Sequence, residues 1–149
     1  MILFRTSKNG VDLIKTFESC KLTAYKDLAG IWTIGWGDTG PDVVCSLKIT
    51  QDQADKRLEK KLLYFENIVN RTVRININQH QFDALVSFCY NVGQGSLEHS
   101  TLMSDLNHAN YSKASQDFLD WDKVNGHVVA GLLRRRKAES TLFLRDDFI

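Results

Sequence analysis

The sequence predicts an α+β fold. Three observations carry this expectation: two short β-rich runs flank a glycine turn before residue 40, amphipathic helical periodicity fills the chain after residue 50, and the two patterns are segregated rather than alternating. The chain has 149 residues, enough for one compact domain, and no proline-rich or low-complexity segment divides it.

A first helical pattern opens at Ser7, a candidate cap, with Val11, Ile14 and Phe17 recurring every three residues and Leu13 beside them. It fails after Ser19. "LTAYKD" and "IWTIGW" then read as two strands joined by a turn at Leu28-Ala29-Gly30. That turn sets Asp27 opposite Ile31 and Tyr25 opposite Thr33. "GDTGPD" is a loop, and "VVC" at 43–45 is a candidate third strand. Thr50 and Gln53 form a T-x-x-Q capping box ahead of a long helix marked by Ala54, Leu58, Leu62, Phe65 and Val69. Asn78 starts the next helix, with Phe82, Leu85, Val86, Cys89 and Val92 on one side and Gly93 as its stop. Shorter helices are expected over 101–108 and 112–122, a turn at Asn125-Gly126, and a last helix from Leu132 to Leu144. The expected organisation is a single domain over 1–149. A β-containing lobe lies at about 20–50 and a connecting helix at about 50–70. The N-terminal helix and 71–149 form a helical lobe.

Composition narrows the function. Apolar residues are 43 % and charged residues 25 %, with a formal net charge of +1. A near-neutral chain without a recognisable module argues against a nucleic-acid partner. The run "RRRK" at 134–137 reads best as the solvated face of a helix. No segment approaches the roughly 20 apolar residues of a membrane span, and the apolar run Ile2–Phe4 is too short for a secretory signal. Synthesis in the cytoplasm without membrane insertion is the expectation. Cys20, Cys45 and Cys89 show no CxxC spacing, and His80, His99, His108 and His127 no ligand spacing, so neither a metal nor a cofactor is expected. Cys89 reads as a buried, inert thiol.

The stretch "FESCKLTAYKDLAGIWTIGWGDTG" holds two carboxylates on either side of the hairpin. Glu18 falls in the last turn of a helix, where the negative end of the dipole and partial burial both favour a neutral acid. Asp27 falls at a wet hairpin rim, which suits a carboxylate. One protonated and one ionised acid is the division of labour in glycoside hydrolysis. Taken singly, each is equally an ordinary surface charge, and Thr33 an ordinary strand residue.

The combination E-x8-D-x5-T in that setting closely resembles the phage-type lysozymes, glycoside hydrolase family 24. "QFDALVSFCYNVGQGSLEHSTLMSDLN" and "GLLRRRKAE" resemble further elements of the same family, so that residues 9–144 are covered. The resemblance implies a lysozyme-like fold with a cleft between two lobes. It implies a muramidase that hydrolyses the β-1,4 bond between N-acetylmuramic acid and N-acetylglucosamine. Glu18 would be the general acid, and Asp27 and Thr33 would position water. Tyr90 and Asn91 would touch sugar at the cleft, with core packing an equal alternative for Tyr90. Trp32, Trp36 and Trp121 are expected to pack rather than to carry sugar. Arg135 and Arg136 match the family's arginine pair. Spacing does not say which turns inward to orient Glu18; Arg135 is the choice made, and a fully solvated run is the alternative. Ser19, Trp36 and Asp38 depart from the usual glycine, tyrosine and histidine, which leaves the partner of position 38 open. The implied setting is a monomeric phage or prophage endolysin acting on peptidoglycan, and a holin would give it access to the wall. The alternative is a non-catalytic peptidoglycan-binding module on the same fold.

Overall fold

The computed structural model describes residues 3–145. Its elements run α1 (Lys8–Glu18), β1 (Lys21–Lys26), β2 (Trp32–Gly35), α2 (Gln51–Thr72), α3 (Gln79–Val92), α4 (Gln94–Glu98), α5 (Thr101–Asn107), α6 (Tyr111–Asp117), a 3₁₀ turn (Phe118–Asp120), β3 (Lys123–Val124), β4 (His127–Val128) and α7 (Ala130–Phe143). The α+β class read from the sequence holds. The small hairpin β3–β4 around Asn125-Gly126 and the short α4 went unread, because neither is long enough to show a period. The final helix begins two residues earlier than expected, at Ala130, and ends at Phe143.

The third strand expected at 43–45 does not form. The chain that pairs with β1 lies just beyond it: Ala24 N–H donates to Leu47 O at 2.9 Å, Ile49 N–H to Leu22 O at 2.9 Å, and Thr23 bridges Lys48. β-propensity favoured the apolar "VVC", but Gly40 and Pro41 turn the backbone there, and Val43 is used as a buried plug instead. Ser7 does stand at the N-cap of α1, yet its hydroxyl donates to the Asp83 carboxylate rather than capping its own helix.

α3 is the axis of the core. Every residue from Phe82 to Tyr90 is buried, polar ones included. That is a helix enclosed on all sides, wider in its burial than the single apolar stripe of its sequence. α1, α2 and α7 pack around it. The segment before α1 ties these helices together. Phe4 stacks on Phe82 with centroids 5.2 Å apart, and Thr6 N–H and Oγ1–H reach the Glu66 carboxylate at 2.8 and 2.6 Å. α2 starts with both halves of the capping box made, Thr50 Oγ1 accepting from Gln53 N–H at 3.2 Å and Gln53 Oε1 from Thr50 N–H at 2.8 Å. Its 22 residues extend about 33 Å and join the hairpin to the helical core.

α5 and α6 are clamped by Lys113, whose ammonium lies 3.0 Å from Asp105 and 3.5 Å from Asp117. Burial and the hydrogen bond with Asp105 push Asp117 up to about 6. A carboxyl raised in the folded state stabilises the fold below its unfolded pKa of about 3.9, and that contribution is lost as pH rises through the folded value. Asp117→Asn is therefore expected to gain on the parent by about 1–2 kcal/mol between pH 4 and pH 7. Urea titrations of both proteins at several pH values check this; a difference that is flat with pH removes the assignment.

Candidate active site

Glu18 ends α1, and the chain leaves it through Ser19, whose φ of 56° lies in the left-handed region. The reversal sends β1 back past the glutamate. The β2 strand then runs into a tight turn in which Ile34 and Asp38 exchange backbone hydrogen bonds at 2.9 and 2.8 Å, with Gly35 and Gly37 at φ 62° and 75°. Gly37 lies directly against the acid: a Cβ there would stand 2.1 Å from Glu18 Oε1. Only glycine supplies both the left-handed backbone and the missing methyl.

From the other side comes α7. Arg135 Nη1 donates to Glu18 Oε2 at 2.6 Å across 117 residues of sequence. Arg135 is 3 % exposed and the Glu18 side chain 16 %. The guanidinium is itself held in place. Its Nη2 donates to Ser87 O at 3.0 Å, and its Nε faces Glu139 Oε2 at 3.3 Å. Glu139 also accepts the Ser87 hydroxyl at 2.6 Å and pairs with Arg136 at 2.7 Å. Arg136 is buried as well, its guanidinium lying over the Phe88 ring at 5.1 Å. Two carboxyl groups, Glu18 and Glu139, and two guanidiniums thus form one hydrogen-bonded, buried cluster. The reading of 134–137 as a solvated run is corrected: only Arg134 and Lys137 face solvent. The choice of Arg135 agrees with the structure, and Arg136 turns inward beside it. The i, i+3, i+4 spacing of Glu139 to the arginines was the signal that a shared acid would draw both in.

Asp27 sits half-buried at the end of β1. Its Oδ1 accepts from the backbone N–H groups of Ala29 and Ile31, both at 2.9 Å, which fixes the carboxylate on the turn. The predicted register holds, with Asp27 N–H donating to Ile31 O at 3.0 Å and Tyr25 opposite Thr33. Thr33 is buried, and its hydroxyl donates to Ile31 O at 2.9 Å. Tyr25 lies within the field of both acids. Burial raises its hydroxyl pKa, and the charges of Glu18 and Asp27 raise it further.

Tyr90 lies between α2 and the β2 turn. It is 8 % exposed, its ring packs on Phe65, and its hydroxyl donates to Trp36 O at 2.6 Å. It pins the β2 turn to α3, so packing, the alternative reading, describes it. Burial, then the charges of Glu18 and Asp38, raises its pKa. Asn91 is exposed in the last turn of α3. Trp36 packs against the core and donates to Asp55 Oδ1 at 2.9 Å, and Trp121 meets Phe88 edge to face. Cys89 is buried, and burial pushes its thiol up to about 12. Asp38 has found partners of its own: Arg57 Nη1 at 2.7 Å and Lys61 Nζ at 3.3 Å, both from α2. Sequence spacing gave no sign of these, since they depend on how α2 crosses the hairpin. Among the described residues no group of acidic, histidine or cysteine side chains could hold a metal ion.

Comparison with known proteins decides the family. Residues 15–139 match the family model for phage lysozyme.

The chain belongs to the phage lysozyme family.

It is 44 % identical to an endolysin of Bacillus phage B103 over 93 % of its own length, and 37 % identical to an endolysin of Salmonella phage P22 over 95 %. It spans about half of the Bacillus phage protein (53 %) but nearly all of the P22 protein (99 %). Among solved structures it is similar to the muramidase domain of SpmX from Asticaccaulis excentricus. The TM-score is 0.86 and the identity 36 %, covering 95 % of this chain and 99 % of that one. The endolysin from Escherichia coli O157:H7 phage FAHEc1 gives a TM-score of 0.83 and 35 % identity, over 100 % of this chain and 96 % of that one. The lysozyme-like architecture expected from the sequence is thus the one observed. No helix among the described residues is long and apolar enough to cross a membrane.

The Gly37 contact yields a direct expectation. Gly37→Ala must displace the Glu18 carboxylate or the turn, and with Glu18 as the proposed acid a shift of about 1 Å costs about 100-fold in rate. Wall-clearing rates should fall by that order while the circular dichroism spectrum stays native; an alanine variant clearing walls at the parent rate would mean that Glu18 need not stay where it is.

Proposed function

We propose that the chain is a muramidase that hydrolyses the β-1,4 bond between N-acetylmuramic acid and N-acetylglucosamine in peptidoglycan. The observation that carries the reading is the Glu18–Arg135 pair at 2.6 Å, set against a hairpin that bears Asp27 and Thr33. Membership of the phage lysozyme family supports it.

Glu18 is the general acid. Arg135 occupies Oε2, so the transferable proton is carried on Oε1, the oxygen beside Gly37. Delivery of that proton to the glycosidic oxygen lets the leaving sugar depart as a neutral alcohol while positive charge develops on the ring. Asp27, with Oδ1 fixed by two backbone N–H groups, has Oδ2 to take a proton from the attacking water. The Thr33 hydroxyl donates to Ile31 O, so its oxygen can accept from that same water. Attack from the face opposite the leaving group inverts the anomeric centre and requires about 6.5–9.5 Å between the carboxyls. Asn91 is an exposed amide in reach of a bound glycan by resemblance. The chain would act as a monomer and as an endolysin, made in the host cytoplasm and reaching the periplasmic wall after a holin opens the membrane.

Glu18→Gln keeps the shape and deletes the proton. Its clearing of permeabilised cells should drop by about 10²–10⁴-fold with the melting temperature nearly unchanged. Survival of near-parent lysis would end the acid assignment; absence of lysis in the parent itself, with walls still bound, would favour a non-catalytic binding module. Thr33→Ala should lose at least about 10-fold in kcat with little change in KM, since the hydroxyl is assigned to water rather than to substrate. A reducing-end assay on soluble glycan strands reads this, and an unimpaired alanine variant would take Thr33 out of the mechanism.

A further inference from the structure

Glu139 is a fully buried carboxyl group on α7, one turn beyond Arg135, and the proposed proton transfer makes no direct use of it. Its Oε2 accepts the Ser87 hydroxyl at 2.6 Å and lies 3.3 Å from Arg135 Nε and 3.2 Å from Arg136 Nη2. Its Oε1 lies 2.7 Å from Arg136 Nε. The one carboxyl thus faces both buried arginines.

A general acid must meet its substrate with the proton still on. Arg135 works against this, because a cation hydrogen-bonded to a carboxyl favours the ionised form. When Glu18 carries its proton, two buried guanidiniums are left without its charge. Apart from Glu18, Glu139 is the one carboxylate among the described residues that is bonded to either. The other titratable groups around Glu18 are engaged elsewhere. Lys15 of α1 lies over the Trp36 ring at 5.0 Å, Asp38 pairs with Arg57 and Lys61 of α2, and the Tyr90 hydroxyl of α3 donates to Trp36 O. On the hairpin, Tyr25 lies in the field of Glu18 and Asp27, and Asp27 is held by its own turn. None of these groups hydrogen-bonds to Arg135 or Arg136. Burial disfavours the charge on Arg136, and Glu139 opposes that effect.

Resting on the muramidase reading, we propose that Glu139 is a positioning residue for the acid: acting through Arg135, its charge lets Glu18 keep a proton that the arginine alone would expel. Arg136 completes the arrangement by holding Glu139 ionised. The run at 134–137 therefore supplies two arginines with separate duties. Arg135 grips the acid, and Arg136 maintains the counter-charge that stops this grip from ionising it. A Glu139 that merely held Arg135 in place would affect activity alike at every pH.

Protonation is read first in the parent, labelled with carbon-13 at its glutamate carboxyls and assigned by through-bond NMR. Glu139 should stay ionised over the whole range in which Glu18 titrates; a proton taken up by Glu139 within that range overturns the proposal. In Glu139→Gln, the Glu18 titration and the basic limb of the pH–kcat profile should both move to lower pH, by about 1 unit or more. Its kcat should then lie much closer to the parent value below that limb than at neutral pH. Arg136→Met removes charge of the opposite sign and should move both to higher pH, and the double variant should bring both back toward the parent. A fall in kcat with neither moving, or shifts of the same sign in both single variants, would leave Glu139 a purely structural brace. If the parent clears no walls, the muramidase reading falls, and the carboxyl titration, which needs no substrate, still decides whether Glu139 governs the proton on Glu18.

Discussion

A buried guanidinium is the constraint on which the rest of this structure depends. Arg135 is almost wholly removed from water, and taking such a charge out of solvent costs several kcal/mol unless it is paired and hydrogen-bonded. Here four acceptors share the burden: Glu18, Glu139 and both oxygens of Ser87. Removing one partner from such a cluster typically costs about 3–5 kcal/mol, because it strands the remaining charge. The arrangement therefore fixes three helices at once. α1 must end where Glu18 meets the guanidinium, α3 must present Ser87, and α7 must turn both arginines inward.

The same cluster links stability to chemistry. A glutamate at a helix end is ordinarily free to choose among rotamers, and the proposed role of general acid asks for one. Arg135 takes Oε2 and Gly37 closes on Oε1, so the carboxyl is clamped between the helical core and the hairpin. Tyr90 reinforces that clamp from α3 by holding the Trp36 carbonyl, one residue before Gly37. Tyr90 is thus a strut for the turn that carries Gly37. Position 38 illustrates how a departure from a family pattern is accommodated. The acid standing where a histidine is usual has drawn two cations from α2, Arg57 and Lys61, and the turn is anchored electrostatically on that side.

Local chemistry left clear marks in the sequence. Thr50 with Gln53 and Asn78 with Gln81 announce two helix starts because a capping box is satisfied within four residues. Gly30 shapes the Asp27–Ile31 turn and Gly93 stops a helix, both through a positive φ. The E-x8-D-x5-T spacing, which spans a helix end and a two-stranded hairpin, is legible through its resemblance to the phage lysozymes. Val43–Cys45 misled because β-propensity takes no account of what the neighbouring strand needs; the backbone partners of β1 came at Leu47, Lys48 and Ile49.

What the sequence by itself determined was the order of the longer elements and the hairpin register. These depend on hydrogen bonds between groups a few positions apart. Tertiary structure alone decided that a run of basic residues would be half buried, that Tyr90 would face inward and that Asp38 would meet α2. Those outcomes depend on contacts between residues as much as 117 positions apart, where the desolvation of a charge is balanced only by partners that folding delivers.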